Sequence, residues 1–182
     1  MKRSEKTRKM IQISMLSVIS FLLMYLIEFP ILPAAPFLQY DPSQIPSLIA
    51  AFAFGPLTGV LVELIKSFLF LLSGKSPAGI IGVSAAFVAG ASFVIVAGLV
   101  YRLKKSKSNA VLALLAGTIG MTVVMTIANY FVFFPLWGIP TEQIGGLLLT
   151  AVVPFNLLKG VLTSILTFLI YKRVHRLMVS GL

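Results

Sequence analysis

The sequence predicts an all-α integral membrane protein: six transmembrane helices, with a long proline-rich outer loop between the first and second. Three observations lead there. The chain of 182 residues is 58% hydrophobic and only 11% charged, with a mean hydropathy of +1.02, whereas a soluble domain carries about 25% charged residues. Long apolar segments recur along its whole length. The formal charge of +10 is clustered, and 12 of the 15 Lys/Arg fall in residues 1–9, 102–107 and 172–176. Those clusters flank apolar segments, so they read as topology signals. A nucleic-acid surface would instead need a basic face with stacking aromatics on a folded soluble unit.

Both halves are equally apolar and no long linker divides them, so residues 1–182 form a single membrane domain. A basic cytoplasmic arm (1–9) precedes six helices over about 10–171, and a basic cytoplasmic tail (172–182) follows. The first span is Met10–Phe29, closed by Pro30 and Pro33. Its 20 or so residues make about 30 Å of helix, enough to cross a bilayer. It is therefore a retained helix and not a cleaved signal peptide, although Ala34-Ala35 offers small residues for cleavage. Ser14, Ser17 and Ser20 form a small-residue stripe, open to close approach either by another helix of this chain or by a partner.

Pro30–Pro46 holds five prolines and so excludes a regular helix. It is an ordered loop, with or without short extended pieces, and its hydrophobicity argues against a free linker. Gln44–Phe54 is the second span, too short to cross unaided, and Gly55-Pro56 is a turn. The third span, about Leu57–Leu72, carries Glu63 and Lys66 mid-membrane, spaced to form an ion pair. Ser73–Gly79 is a loop; its Gly74-Lys75-Ser76 lacks the upstream glycine of a phosphate-binding P-loop. Ile80–Leu103 is a fourth span rich in Gly and Ala (Gly82, Ala85, Ala86, Ala89, Gly90, Ala91), thin enough to admit a neighbour or a flat ligand. Asn109–Phe134 is the fifth, Pro135–Gly146 a loop, and Leu147–Tyr171 the sixth.

Six spans place both termini on one side together with the fourth–fifth loop. That side then holds the three basic clusters and is cytoplasmic by the positive-inside rule. The outer loops retain only Lys75. Against this frame Asn129 lies about 7 Å below the outer end of its helix, and Asn156 and Lys159 roughly 13–18 Å below theirs. Lys66 is also in the outer half. Polar groups at such depth are costly unless they pair or face a cavity. An outer cavity between the third to sixth helices, covered by the proline-rich loop, accommodates them. Its ligand would be neutral or weakly acidic, hydrogen-bonding, and flat or apolar on one side. Pro154 would release a carbonyl near residue 150 as a further acceptor. Two readings of Lys159 stay open: ligand contact, or an ion pair with Glu142 or Glu28. Phe131, Phe133, Phe134 and Trp137 read as an interfacial aromatic belt.

Catalysis finds no support. His175 sits in the basic tail, no two carboxylates share a helix face at working distance, and no metal-ligand set exists. No intrinsic cofactor is implied. A channel would need polar rings through the full depth, and the inner half lacks them.

The stretches I-S-M-L-S (Ile13–Ser17), D-P-S-Q-I-P-S-L (Asp41–Leu48), F-G-P-L-T-G (Phe54–Gly59), F-V-A-G-A-S-F (Phe87–Phe93), N-Y-F-V (Asn129–Val132) and P-F-N-L-L-K-G (Pro154–Gly160) give the chain its likeness. It resembles the substrate-binding S components of energy-coupling factor (ECF) vitamin transporters, most closely the riboflavin-specific subgroup. The resemblance implies riboflavin bound near the outer surface under the first loop. It implies, as partners, a transmembrane coupling subunit (EcfT) and two ATPase subunits, in a bacterial cell membrane. It also implies a cycle in which the S component topples to present its site to the cytoplasm. Asn129, Asn156 and Lys159 would hydrogen-bond the ligand. Leu38, Gln39, Tyr40 and Asp41 from the loop, with Phe87 and Gly90 from the fourth helix, would line or close the pocket. The family docks its coupling subunit through A-x-x-x-A on the first helix; here Ser14 and Val18 stand at those places, with Ser17 beside them.

Overall fold

A computed structural model describes the backbone of residues 2–33 and 35–179 and the side chains of residues 4–33 and 35–171. Tail residues 172–182, His175 among them, thus lie outside the described side chains, and Ala34 of the Ala34-Ala35 pair is likewise outside. Helix α1 runs Lys2–Leu26, followed by α2 (Gln44–Phe54), α3 (Pro56–Leu72), α4 (Gly79–Leu103) and α5 (Lys107–Ala128). A π-helical turn, Asn129–Phe133, continues α5 into the short α6 (Phe134–Leu136). Helix α7 (Thr141–Leu147) leads through a second π turn, Leu148–Val152, into α8 (Val153–Val179). Among the described residues, four helical stretches are long and apolar enough to cross a membrane: Ser4–Leu26, Gly79–Leu103, Lys107–Leu136 and Thr141–Tyr171.

Several boundaries differ from those read in the sequence. The basic arm is not a separate coil, because α1 begins at Lys2; no proline or glycine interrupts those residues, and Glu5 in the first turn favours the helix dipole. At its other end α1 stops at Leu26, short of Phe29. Pro30 biases the residue before it toward extended backbone, and Phe29–Pro30 (β1) pairs antiparallel with Gln39–Tyr40 (β2), Phe29 opposite Tyr40. Among the described residues the fold is therefore helical with one two-residue ladder inside the proline-rich loop. The loop taken as Pro135–Gly146 contains a helix, α7, which Gly145-Gly146 obscured in the sequence and which Pro140 and Glu142 initiate.

Helix α2 is the centre of the molecule. It is about 16 Å long and buries every residue from Gln44 to Phe52. The chain reverses at Gly55, whose φ of 103° suits glycine, and Pro56 opens α3 at a position where its missing N–H costs nothing. The main core joins Leu48, Ala51 and Phe52 of α2 to Phe93, Val94 and Ala97 of α4 and to Ala110, Leu114 and Met121 of α5. At the end away from the loop, Phe52 stacks on Tyr101 at 4.3 Å between ring centroids, and the Tyr101 and Tyr171 hydroxyls share a hydrogen bond. The periphery is the inverse: Met15, Val18, Leu57, Phe68, Leu99, Ile119, Phe131 and Ile165 are all exposed. On a chain of this composition that surface suits lipid.

Candidate functional site

The cavity opens at the end of the molecule that carries the proline-rich loop. Met24, Glu28, Phe37, Leu38, Gln39 and Asp41 contribute from α1 and the loop, Phe70 from α3, and Ser76–Ala78 from the α3–α4 connection. Gly82, Val83, Ala85, Ala86 and Ala89 contribute from α4, Met125 and Asn129 from the end of α5, Trp137 from the turn after α6, and Phe155, Asn156 and Lys159 from α8.

Helical spacing explains the α4 wall. Positions 82, 85, 86 and 89 recur at three and four residues, so they share one face. Because all four are Gly or Ala, that face is a flat strip. Phe87 and Gly90 do not line the cavity. Gly90 has another use: a Cβ there would come within 2.1 Å of the Glu63 carboxylate. Glycine at 90 is what lets the buried Glu63 side chain fit between α3 and α4. Tyr40 is also off the wall, packed edge-on to Phe29 at 5.6 Å with its hydroxyl beside Thr163 of α8.

The two asparagines reach the wall by a shared device. Asn129 is the first residue of one π turn, and Asn156 lies four residues beyond the last residue of the other. In each turn a hydrogen bond spans five residues, Phe134 N–H to the Asn129 carbonyl and Val153 N–H to the Leu148 carbonyl. A proline stands two residues after each turn, Pro135 and Pro154. A proline deletes an i→i−4 bond and presses its ring on the preceding turn; the wider π register absorbs that crowding. Each asparagine then donates from Nδ2 to the carbonyl four residues back, Asn129 to Met125 at 2.7 Å and Asn156 to Val152 at 2.8 Å. This anchors the side-chain amides, whose Oδ1 acceptors and second N–H donors are free of those bonds.

Lys159 resolves to an ion pair, with a partner the sequence did not suggest. Its Nζ lies 2.9 Å from Asp41 Oδ2, joining α8 to the loop across 118 residues of chain; neither Glu142 nor Glu28 takes it. The other Asp41 oxygen accepts from the Ser43 backbone N–H at 3.0 Å and from the Ser43 hydroxyl. Lys66 Nζ donates to Ser43 Oγ at 3.1 Å and to Glu63 Oε2 at 2.5 Å, which realises the Glu63–Lys66 pair expected from spacing. Ser20 of α1 donates to the Ser43 carbonyl at 2.5 Å. The loop exit at residues 41–43 is thus fastened to α1, α3 and α8 together. Burial pushes the Asp41 carboxyl up, but Lys159, Lys66 and the Ser43 hydrogen bond outweigh it and hold it at about 2.

The sequence missed several wall residues. Trp137 is part of the cavity and meets Phe37 of the loop edge-to-face at 6.3 Å, so it does not belong to an exterior belt. Phe133 and Phe134 are core residues, and of the four proposed belt aromatics Phe131 alone is largely exposed. Met24, Phe37 and Phe70 had no signal of their own, and Glu28 stood out only as a candidate partner for Lys159; the fold brings them together. On α1, Ser17 and Ser20 face inward and bond to the Ile13 and Ser43 carbonyls, whereas Ser14 and Val18 remain exposed. The serine stripe therefore splits: two of its members pack within this chain. Among the described residues no His/Cys/Asp/Glu group of metal-binding type occurs.

Comparison with known proteins agrees with this architecture. The family model for the substrate-specific component of ECF transporters matches residues 8–171. The chain is 39% identical over 177 residues to the riboflavin transporter RibU of Staphylococcus aureus (strain TCH60), covering 93% of this chain and 92% of that one. It is 36% identical over 174 residues to the riboflavin transporter FmnP of Bacillus subtilis (strain 168), covering 91% of each. A solved S component of a bacterial ECF transporter superposes with a TM-score of 0.82 at 40% identity, over 95% of this chain and 98% of the other. The chain belongs to the family of substrate-specific components of ECF transporters.

Proposed function

We propose that this chain captures riboflavin at the outer face of a bacterial cell membrane for an ATP-driven importer. The observation that carries the reading is the pairing of a flat Gly/Ala strip on α4 with the anchored amides of Asn129 and Asn156 across one cavity. An isoalloxazine ring offers that site a planar apolar body edged by carbonyl and imide groups, and its ribityl chain adds hydroxyls. Relatives of like length are named as riboflavin transporters, which supports the same ligand. Gln39 extends the polar edge from the loop, beside Leu38.

The cavity is narrow, about 100 Å³, against roughly 300–1,000 Å³ for sites of drug-sized ligands. Admission of a flavin therefore needs side chains or the loop to give way. The loop's fixed end is Asp41–Ser43; its edge around Phe37 meets Trp137 edge-to-face. That edge is the natural gate.

Six membrane crossings with both termini cytoplasmic follow from the basic clusters and place the loop outside. In this arrangement the short α2 is sheltered by its neighbours, while α3 turns Leu57, Leu64 and Phe68 outward. No group in this chain supplies energy for movement, so the work falls to a coupling subunit, EcfT, and two ATPases. Exposed Ser14 and Val18, four residues apart on one face of α1, offer a shallow strip for that coupling subunit. The direct experiment is mass spectrometry of small molecules that co-purify with the protein, with competition by thiamine, pantothenate and biotin. Riboflavin in the eluate, undisplaced by the other vitamins, is expected. Another vitamin in the eluate, no flavin at all, or riboflavin displaced by one of those competitors contradicts the assignment.

A further inference from the structure

Three ionisable side chains line the cavity: Glu28, Asp41 and Lys159. Two of them cancel, since Lys159 is held 2.9 Å from Asp41. Beneath the wall Lys66 and Glu63 cancel as well, at 2.5 Å. Glu28 is left over. It is half-buried at the mouth, where α1 gives way to the loop, and it shares the wall with Ser76–Ala78 of the opposite connection. The nearest outer cation, Lys75, is committed elsewhere: its ammonium donates to the Tyr25 carbonyl and sits 4.8 Å from the centre of the Tyr25 ring. It is also exposed, so water and salt screen it. The wall side chains therefore carry one carboxylate in excess, Glu28 at the mouth, which Lys75 and Lys159 offset only at a distance.

We propose that Glu28 is a specificity-determining residue whose carboxylate makes the cavity select the neutral, hydroxyl-terminated flavin over its phosphomonoester. The inference rests on the riboflavin reading and deepens it. A phosphomonoester carries a charge of about −1.5 to −2 at neutral pH. In a narrow cavity its repulsion from a carboxylate is screened less than in bulk water. Lys159, the cation that could offset it, is already matched by Asp41. The same crowding is visible in Glu28 itself: burial and the Asp41 charge push its carboxyl up, against Lys75 and Lys159. Selectivity here comes from a repulsive element set against the wrong ligand.

The test is fluorescence titration of the purified full chain with riboflavin and with flavin mononucleotide, at one neutral pH and one salt concentration. Wild type is expected to prefer riboflavin by about tenfold or more, which corresponds to about 1.4 kcal/mol. Glu28→Gln, of nearly equal volume, should shift that ratio toward the mononucleotide by about tenfold. Lys105→Gln, an exposed charge in the α4–α5 connection at the opposite end of the molecule, should leave the ratio within about threefold. An unchanged ratio in Glu28→Gln overturns the proposal, as does a wild type that binds both flavins equally. Loss of both flavins in Glu28→Gln also overturns it, by making the residue structural. A wild type that binds neither flavin fails differently, since it removes the riboflavin reading on which this one stands.

Discussion

Asn156, Lys159 and Asp41 carry different kinds of free energy and should respond differently to substitution. Asn156 donates to its own helix and presents the rest of its amide to the cavity, so Asn156→Ala should weaken flavin binding by about 1–3 kcal/mol with a small change in thermal stability. Lys159→Met leaves Asp41 buried without its principal counter-charge. Breaking a buried pair in this way costs about 3–5 kcal/mol, so this variant should unfold at visibly lower temperature in detergent. Asp41→Asn combined with Lys159→Met should recover much of that loss; additive losses in such a double-mutant cycle would show that the two groups are not coupled. The sign of the pH dependence follows from the depressed Asp41 carboxyl. Its contribution is complete above the unfolded value of about 4 and is lost as pH falls through about 2. Stability contributed by the pair should therefore be flat from pH 5 to 8, and a thermal-shift series across that range checks it. At this scale the sequence was informative where chemistry is rare: Asn129, Asn156 and Lys159 stand out in apolar helices. It was silent on Asp41 as the partner, because nothing local links residues 118 apart.

Elements set the angles at which those residues point. A π turn inserts one extra residue and so rotates everything beyond it by about 100° relative to a continuous α-helix. Pro154→Ala would remove the crowding that favours the second π turn and let residues 148–156 relax to α register. Flavin affinity should then fall by about tenfold or more while thermal stability holds or rises, since an alanine restores a helix hydrogen bond. Retained affinity would show that the π turn is not needed to aim Asn156. The prolines were visible in the sequence and so was the carbonyl that Pro154 must release; the compensating turn was not, because π register leaves no pattern of hydrophobicity. The same limit hid α7 behind Gly145-Gly146. Conversely, the bounds of α2 and α3 were legible to within a residue, since Ser43 and Gly55-Pro56 punctuate them. Gly90→Ala tests a contact between elements: overpacking against Glu63 should destabilise by about 1–3 kcal/mol, and should cost less in a Glu63→Ala, Lys66→Met background, which removes the obstructing carboxylate together with its counter-charge.

The whole molecule is a helical bundle whose polar interior is gathered at the loop-bearing end and whose exterior is apolar. The sequence predicted that polarity through depth alone, by counting residues from each helix end, and it predicted orientation through the basic clusters. The absence of cysteine makes orientation simple to measure. Gln143→Cys should react with a membrane-impermeant maleimide in intact cells, and Ser108→Cys only after lysis; the reverse pattern would invert the topology. Shape was less legible than polarity. Which α4 face lines the cavity, and that Trp137 and Phe37 close it, depend on packing between segments far apart in sequence. The central claim, that this cavity holds riboflavin through the amides of Asn129 and Asn156, is tested most directly by equilibrium fluorescence titration of riboflavin into purified wild type and Asn156→Ala side by side. Saturable one-to-one quenching by wild type, weakened about 10- to 100-fold in the variant, is the result expected. Quenching that is absent in wild type, or equal in the two proteins, would contradict it.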